Sequence, residues 1–321
     1  MRLTDNTKAV SMVVSALLLI IVVAGSVAFL AGTMQGVTSQ TDKVVSNGNS
    51  ADTGAIKINV ISSDLAIPAV SQLVKAYNDK NPGVKLQLQQ SDSLGGTSNV
   101  SIGSVSSGLA DIGISDREPS PYEMEKYPDL VAQKFGTSGI VVIVHSSTPN
   151  IKFSKNDLKN KYSAPGSFTV YHMQNMSSRY TGTEAAFFQY IGTNTIAPGI
   201  IPIKGGAGIL DAVKNMPESI GFIEYGYVDS QDKLGNVYIA DLFNESNNIT
   251  YTNMSYSNFT LAAISDNVNN SYYPLELSHP LYFVTKGKSS LADAFIKWAL
   301  SFEGQDIIEK NGYISYAREF S

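Results

Sequence analysis

Residues 107–120, SGLADIGISDREPS, decide the expected fold of this chain. A Ser-Gly pair interrupts the chain at the start of the segment, and an apolar run of β-forming residues follows it. The run ends in the polar cluster SDRE at residues 115–118, which Pro119 closes. A buried strand that carries a hydroxyl, a carboxylate and a guanidinium at its carboxyl end is typical of ligand sites in open α/β sheets. A strand followed by a solvated loop with an internal ion pair explains these residues equally well.

The residues before this segment predict two further strands of the same sheet. Residues 55–62 (AIKINVIS) and 84–89 (VKLQLQ) alternate in polarity as strands do. A helix that starts near Pro68 separates them, and a Gly/Ser/Thr-rich loop with a second helix leads to the third strand. This order predicts a parallel sheet whose polar turns meet at one edge. Hydroxyls and the N–H groups of helix N-termini at such an edge suit a small anion.

Length and composition bound the remaining possibilities. The chain has 321 residues, a formal net charge of −5 and 43% hydrophobic residues, which predicts two domains, or one large domain with appendages, and a sizeable core. The negative charge argues against a nucleic-acid partner. There is no cysteine, so disulfides, thiolate metal sites and thiol nucleophiles are excluded. His145, His172 and His279 lie far apart in sequence without metal-ligand spacing, and we expect them to be structural.

The amino terminus predicts a membrane anchor. Residues 9–32 carry no charge, and a run of about 20 apolar residues spans a bilayer as a helix. Secretory signal peptides have shorter apolar regions. Arg2 and Lys8 precede the run, so we expect the globular part to lie outside the cytoplasm. Residues 10–32 are therefore predicted to form a transmembrane helix, and the Ser/Thr/Asn/Gly-rich residues 33–53 a flexible linker.

The junction KAVS at residues 8–11, followed by the apolar run, resembles archaeal type IV pilin-like (class III) signal sequences. The resemblance implies a leader at residues 1–9 that is cleaved between Ala9 and Val10, with the helix retained. Many pilins carry glutamate at the fifth mature position, where this chain has Val14. The departure weighs against filament assembly and leaves anchoring intact. An uncleaved anchor remains an alternative.

A series of segments extends this pattern along the extracytoplasmic part: KNPGVKLQLQ (80–89), GLADIGISDRE (108–118), GTSGIVVIVHSSTPN (136–150), FSKNDLKNKYS (153–163), SRYTGTEAAFFQYIG (178–192), AVKNMPESIGFIEYGYV (212–228), HPLYFVTKG (279–287) and AFIKWALSFEGQDIIEKNGYISY (294–316). In order and spacing they resemble the substrate-binding proteins of ABC importers, specifically the phosphate-binding type.

That resemblance implies a two-lobed periplasmic-binding-protein (type II) α/β fold, in which each lobe is a mainly parallel sheet flanked by helices. It places residues 54–142 and 282–321 in lobe 1 and residues 143–281 in lobe 2. It further implies a monomeric binding protein for phosphate or a related oxyanion, with an ABC permease as partner, no cofactor, no metal and no enzymatic activity.

Some of the family's ligand positions in lobe 1 have matching residues in this chain, and others do not. The turn after the first strand falls on Asp64 and Leu65, where the family has a threonine hydroxyl and a backbone N–H. Because a carboxylate repels a dianion, two alternatives stay open: Ser63 supplies the hydroxyl, or Asp64 points outward as a helix N-cap. Further resemblance-based positions are Thr97 and Ser98 at the second turn, Asp116 as acceptor of the ligand's proton and Arg117 as countercharge.

In lobe 2 the family's Ser-Gly-Thr at a helix N-terminus corresponds to Thr181, Gly182 and Thr183. The family's arginine falls on Ser177, and Arg179, two positions on, is the candidate to replace it. An ordinary helix cap is the alternative for this stretch. The segment at residues 205–208 and the pair Glu224-Tyr225 are expected to serve the lobe core and rim.

Asn-x-Ser/Thr sequons predict a glycosylated outer surface. Chance occurrence is the alternative, since Asn, Ser and Thr are abundant. Asn99 is expected to remain unmodified, because a glycan there would crowd Ser98. The candidate sites are Asn175, Asn244, Asn248, Asn253, Asn258 and Asn269.

Two function classes follow. The first is a membrane-anchored solute-binding protein, and the alternative is a pilin-like filament subunit with a binding-protein-like head. Electron microscopy of the cell surface distinguishes them. No nucleophile–base pair or metal cluster is visible in the sequence, so we do not expect an enzyme.

Overall fold

The three predicted strands form one side of the main sheet. In the computed structural model β1 (Ile56–Ser62) pairs in parallel with both β2 (Val84–Gln90) and β3 (Ile112–Ser115). Helix α1 (Ile67–Lys80) connects β1 to β2 and carries Pro68 in its first turn, and α2 (Ser98–Ser106) precedes β3. The prediction of parallel strands with helical connections is confirmed.

The structure describes residues 55–90, 98–174, 182–193, 195–228, 234–252, 254–265, 267, 269–287 and 290–320. The predicted leader, transmembrane helix and linker lie outside these residues. No helix in the described ranges is long and apolar enough to cross a membrane.

The remaining helices and strands follow in chain order: α3 (Pro121–Lys126), β4 (Leu130–His145), β5 (Lys152–Ser154), α4 (Lys155–Ser163), β6 (Thr169–Met173), α5 (Gly182–Ile191), β7 (Ile201–Ile203), α6 (Gly205–Asn215), β8 (Ser219–Glu224), β9 (Val237–Ile239), β10 (Asp241–Asn244), β11 (Ile249–Tyr251), α7 (Tyr256–Ser265), β12 (Ser278–Lys286), α8 (Ser290–Ala299), α9 (Phe302–Lys310) and β13 (Ile314–Ser315). Short 3-10 turns include Asp64–Ala66 after β1 and Tyr225–Tyr227 after β8.

The main sheet is mixed rather than mainly parallel, which corrects the prediction. Its strand order is β2-β1-β3-β12-β4-β8-β6-β7. The central strands β4 and β12 pair antiparallel to each other, β12 is antiparallel to β3, and β4 is antiparallel to β8. The chain passes from one hydrophobic core to the other along β4 and returns along β12, so these two neighbouring strands run in opposite directions.

Two large hydrophobic clusters lie on either side of this central pair. One gathers α1, β1, β3 and the carboxyl-terminal helices, and it includes Phe135 of β4 and Phe283 of β12. The other gathers β6, β8, α5 and α6, and it includes Ile140 to Val144 of β4. Within β4 the packing therefore changes from one core to the other between Phe135 and Ile140. The predicted two-lobed α/β architecture is confirmed.

Close backbone approaches mark the part of β4 between the two cores. A Cβ atom on Gly136 would lie 2.7 Å from the carbonyl oxygen of Ile314, and one on Gly139 would lie 2.9 Å from the hydroxyl of Tyr273. The buried Tyr273 hydroxyl accepts a hydrogen bond from the Ile140 N–H at 2.8 Å. Its proton lies within reach of the Ile140 and Leu277 carbonyl oxygens, at 2.7 and 3.0 Å. The Tyr273 hydroxyl thus satisfies buried backbone N–H and C=O groups where β4 passes from one core to the other.

Replacing Tyr273 with phenylalanine leaves the buried Ile140 N–H without a partner. We expect Tyr273→Phe to lower the free energy of unfolding by about 1–3 kcal/mol, measured by urea denaturation. Tyr272→Phe is the matched control, since Tyr272 is 40% exposed and should change stability by less than about 0.5 kcal/mol. Equal effects of the two substitutions would show that the Tyr273 hydroxyl contributes nothing specific.

Candidate functional site

Three buried polar side chains meet at the carboxyl edge of β1 and β3. Ser63 follows β1, Asp116 follows β3, and Ser98 begins α2. The Ser63 N–H donates to the Ile114 carbonyl at 3.1 Å, which holds the two strand ends together. Ser63 and Ser98 are fully buried and Asp116 is 8% exposed. The parallel register of β1 and β3 therefore brings Ser63 close to Asp116, although the two residues lie more than fifty positions apart in the sequence.

The hydrogen bonds at this edge leave donors and acceptors available. The Asp116 N–H donates to the Ser98 hydroxyl oxygen at 2.8 Å, so the proton of Ser98 remains free to be donated elsewhere. Among the residues that the structure describes, the Ser63 hydroxyl and Asp116 Oδ1 are buried without a hydrogen-bond partner. Buried polar atoms are normally paired, so unpaired ones at a strand edge are expected to face a ligand.

Asp64 and Leu65 form the 3-10 turn that follows Ser63. The N-cap position of this turn is Ser63, whose side chain makes no capping bond, so the alternative that Asp64 serves as an N-cap is wrong. The Leu65 carbonyl oxygen accepts from the Tyr313 hydroxyl at 2.6 Å. The Asp64 carbonyl oxygen accepts from the Tyr227 hydroxyl, a longer contact of 3.4 Å.

The Arg117 guanidinium is already engaged by neighbouring acceptors. Its Nη1 and Nη2 atoms donate to the two carboxylate oxygens of Glu123 at 2.8 and 3.0 Å, and Nη2 also donates to Asn99. Arg117 therefore forms an ion pair, but its carboxylate partner Glu123 belongs to α3 and not to the loop, so this is not the ion pair internal to the loop that the alternative interpretation describes. The role of Arg117 as a countercharge for an anion stays a prediction, and it requires the guanidinium to leave Glu123 or to act from a distance.

The first turn of α5 faces this edge from the other lobe. Gly182 has φ of 78°, which favours glycine, and a Cβ there would lie 3.8 Å from Asp116 Oδ2 and 3.9 Å from the Leu65 side chain. Thr183 follows and is buried. The predicted positions Gly182 and Asp116 are thus close in space. Thr97, Arg179 and Thr181 lie outside the described residues, as does Ser177.

Glu224 is the site residue that the sequence reasoning missed. It ends β8, is fully buried, and its Oε1 accepts a hydrogen bond from the Thr183 hydroxyl. Its Oε2 has no hydrogen-bond partner within the described part of the chain. This atom lies against the first turn of α6, where a Cβ on Gly206 would approach it to 2.6 Å. The available signal was a buried strand, IGFIE, that ends on a carboxylate just as β3 leads into Asp116.

Burial shifts the titration of both carboxyls towards neutral pH. Burial raises the pKa of Glu224 to about 7; the Thr183 hydroxyl opposes this shift, and the charges of Asp64 and Asp116 reinforce it. Burial likewise raises the pKa of Asp116 to about 6, against the opposing effects of a backbone hydrogen bond and of Arg117. Three acidic groups therefore share one region, and protonation is the available way to relieve their repulsion.

The histidines lie in separate environments. His145 Nδ1 is 2.8 Å from the Ser147 hydroxyl, and His172 Nδ1 is 2.7 Å from Glu184 Oε1. Burial lowers the pKa of His279 to about 4. Across the described ranges, no group of three or more His, Asp or Glu residues is placed to hold a metal ion.

The candidate glycosylation sites differ in solvent exposure. Asn248 and Asn269 are exposed, whereas Asn244 and Asn258 are half-buried. Asn175 and Asn253 lie outside the described residues. Glycosylation at any of these positions stays a prediction.

Residues 46–303 match the family profile of the PBP superfamily domain. The chain belongs to this superfamily. Among curated proteins, the phosphate-binding protein PstS 2 of Streptococcus agalactiae serotype V is 34% identical over 105 residues. That alignment spans 33% of this chain and 32% of the relative, and the serotype III protein matches equally.

Solved structures share the fold at low identity. A candidate phosphate ABC-transporter substrate-binding protein from Clostridium perfringens, solved with bound phosphate, has a TM-score of 0.63 at 21% identity and covers 81% of this chain and 99% of its own. An ABC-type phosphate transport receptor from Vibrio cholerae has a TM-score of 0.56 at 18% identity, with 80% and 99% covered. At these identities the likeness establishes the fold.

The two raised pKa values predict how stability depends on pH. Each carboxyl is protonated more readily in the folded state, so its stabilising contribution is full below about pH 4 and is lost as pH rises towards about 7. For Glu224 the loss is on the order of 3 kcal/mol. Glu224→Gln should therefore flatten the pH dependence of the free energy of unfolding between pH 4 and 8, measured by urea denaturation in phosphate-free buffer.

Glu125→Gln serves as the control, because Glu125 is an exposed residue of α3. It should leave the wild-type pH profile intact. If the Glu224→Gln and wild-type profiles run parallel, the carboxyl of Glu224 is not the group that titrates.

Proposed function

We propose that this chain is an extracytoplasmic solute-binding protein that captures phosphate, or a related oxyanion, between its two lobes and delivers it to an ABC importer. The observation that carries the proposal is the set of buried, unpaired polar atoms at the strand edge of one lobe, facing the first turn of α5 in the other. Ser63 and Ser98 offer hydroxyl protons, and the helix turn offers N–H groups and a positive dipole end.

The relatives support phosphate as the ligand class. The PstS 2 protein of Streptococcus agalactiae is named for phosphate binding, and the Clostridium perfringens structure holds bound phosphate. Both names describe binding proteins rather than enzymes. Transferred to this chain, they favour a role in phosphate capture and an ABC permease as partner.

Asp116 is proposed to select a protonated oxyanion by accepting a hydrogen bond from the ligand's proton. A buried carboxylate oxygen without a partner accepts a hydrogen bond from monohydrogen phosphate, whereas fully deprotonated sulfate leaves that oxygen unpaired and adds charge repulsion. Because Asp116 titrates near pH 6, its ionised acceptor form dominates at neutral pH. Selection for a protonated oxyanion follows from this chemistry.

Placement at the membrane belongs to the same proposal. The uncharged residues 10–32 are proposed to anchor the chain as a single-pass helix, after cleavage between Ala9 and Val10, with the globular part outside the cytoplasm. The protein then acts as an anchored monomer, and the flexible linker of residues 33–53 allows the lobes to contact a permease.

Titration calorimetry of the full chain in mild detergent tests ligand binding. We expect phosphate to bind with a dissociation constant of about 1 μM or tighter, and an excess of sulfate to leave this binding unchanged. Absence of binding heat with phosphate, arsenate, sulfate and molybdate would contradict the proposal.

Asp116→Asn tests the selectivity mechanism. An amide can donate to a fully deprotonated oxyanion, so we expect the variant to gain measurable sulfate binding and to lose at least about tenfold of its preference for phosphate. Asp111→Asn is the matched control, since Asp111 is exposed and its carboxylate accepts from the Asn59 N–H at 2.8 Å. Unchanged selectivity in Asp116→Asn would reject the proton-acceptor role.

A further inference from the structure

Thr183 and Glu224 form a hydrogen bond whose direction depends on the protonation of the carboxyl. Thr183 Oγ1 and Glu224 Oε1 are in hydrogen-bonding contact. A hydroxyl has one proton to donate, and an ionised carboxylate can only accept. When Glu224 is ionised, the Thr183 proton is therefore committed to it. When Glu224 is protonated, it can donate to Thr183 Oγ1, and the Thr183 proton is available to a third group.

The surroundings of the pair point to a ligand as that third group. Thr183 stands in the first turn of α5, where N–H groups lack intrahelical partners, and its neighbour Gly182 faces Asp116 Oδ2. Two buried carboxyl oxygens in this region, Asp116 Oδ1 and Glu224 Oε2, have no hydrogen-bond partner among the described residues. A bound oxyanion needs donors on all its unprotonated oxygens, and the Thr183 hydroxyl is suited to supply one.

We infer that Glu224 is a proton-linked positioning residue of the anion site: its protonated form turns the Thr183 hydroxyl towards the oxyanion, and its ionised form withdraws that donor. The inference rests on the proposed function and deepens it. One proton from solvent joins the Glu224 carboxylate when an anion binds to the ionised form, and the same proton is released when the anion leaves. No bond other than this O–H bond is made or broken.

The charged side chains of Asp64 and Asp116 both disfavour the ionised form of Glu224. The first turns of α5 and α6, which contact Glu224 through Thr183 and Gly206, present positive helix ends that oppose this effect. An incoming anion adds a further negative charge, so it draws the carboxyl towards its protonated form. Since burial raises the pKa of Glu224 to about 7, this change occurs within the neutral range. The titratable groups that face Glu224 from neighbouring elements are Asp64, Asp116, Tyr227 and Tyr313.

The test compares phosphate binding by the full chain and by Glu224→Gln from pH 6 to 8.5, using titration calorimetry. The glutamine amide can donate to Thr183 Oγ1 at every pH, so it mimics the protonated carboxyl. Because phosphate itself titrates identically for both proteins, only the difference between them reports Glu224. We expect the wild-type affinity to fall about 30-fold more than that of the variant over this range.

Proton uptake supplies a second readout. Calorimetry at pH 8 in buffers of different ionisation enthalpy should show that the wild type takes up close to one proton more per phosphate than Glu224→Gln does. Glu184→Gln is the matched control, a buried acid in the same helix turn that pairs with His172, and it should keep the wild-type pH dependence. Thr183→Val should bind more weakly and lose the pH dependence linked to Glu224.

The outcomes separate the inference from the proposed function. If wild type and Glu224→Gln bind phosphate with the same pH dependence and proton uptake, the proton-linked role is wrong and phosphate binding stands. If no protein in the series binds phosphate at pH 6, the proposed function is wrong and the inference falls with it. Circular dichroism spectra that match the wild type exclude misfolding as the cause of either result.

Discussion

The burial of two carboxyl groups, Asp116 and Glu224, between the lobes is the constraint on which the site depends. Asp116 follows a strand and Glu224 ends one, and in the described ranges each carboxyl has one oxygen without a hydrogen-bond partner. Burying an ionised carboxylate costs several kcal/mol unless it is paired. Burial therefore raises the pKa of Asp116 to about 6 and that of Glu224 to about 7, so Glu224 keeps its proton to a higher pH than Asp116 does. Burying these two carboxyls destabilises the folded protein without ligand. A ligand that completes their hydrogen bonds offsets this cost in free energy.

The surrounding structure is shaped to hold these carboxyls in place. Glycine at position 206 lets the Glu224 carboxyl lie against α6. Glycine at position 182 adopts the positive φ with which α5 begins beside Asp116. Ser98 holds the Asp116 backbone by accepting its N–H. The 3-10 turn beside them is tied to the carboxyl-terminal residues through the hydroxyl of Tyr313. The mixed sheet supplies the geometry, because β4 and β12 carry the chain between the two cores.

Local patterning predicted the first lobe well because its strands alternate and its turns are short. The meeting of the polar turns follows from the rule that the ends of parallel strands share one edge. The choice of Ser63, Ser98 and Asp116 within those turns came from the resemblance to phosphate-binding proteins. The antiparallel centre of the sheet was not predictable in this way. The sequence of β4 is apolar along most of its length, and such a run does not indicate whether the strand is parallel or antiparallel to its neighbours. Glu224 was missed because its partner Thr183 lies 41 residues away, and only tertiary structure shows that contact. Arg117 was identified as a charge, but its engagement by Glu123 depends on the capping box of α3.

We propose that the oxyanion binds to the buried carboxyls and hydroxyls between the lobes. A crystal structure of the protein grown with phosphate at pH 6 would show whether it does. We expect a phosphate with oxygens within about 3 Å of the Ser98 hydroxyl, an Asp116 carboxylate oxygen and the Thr183 hydroxyl. A phosphate bound elsewhere, with Asp116 and Glu224 unchanged and still lacking partners, would rule out this site.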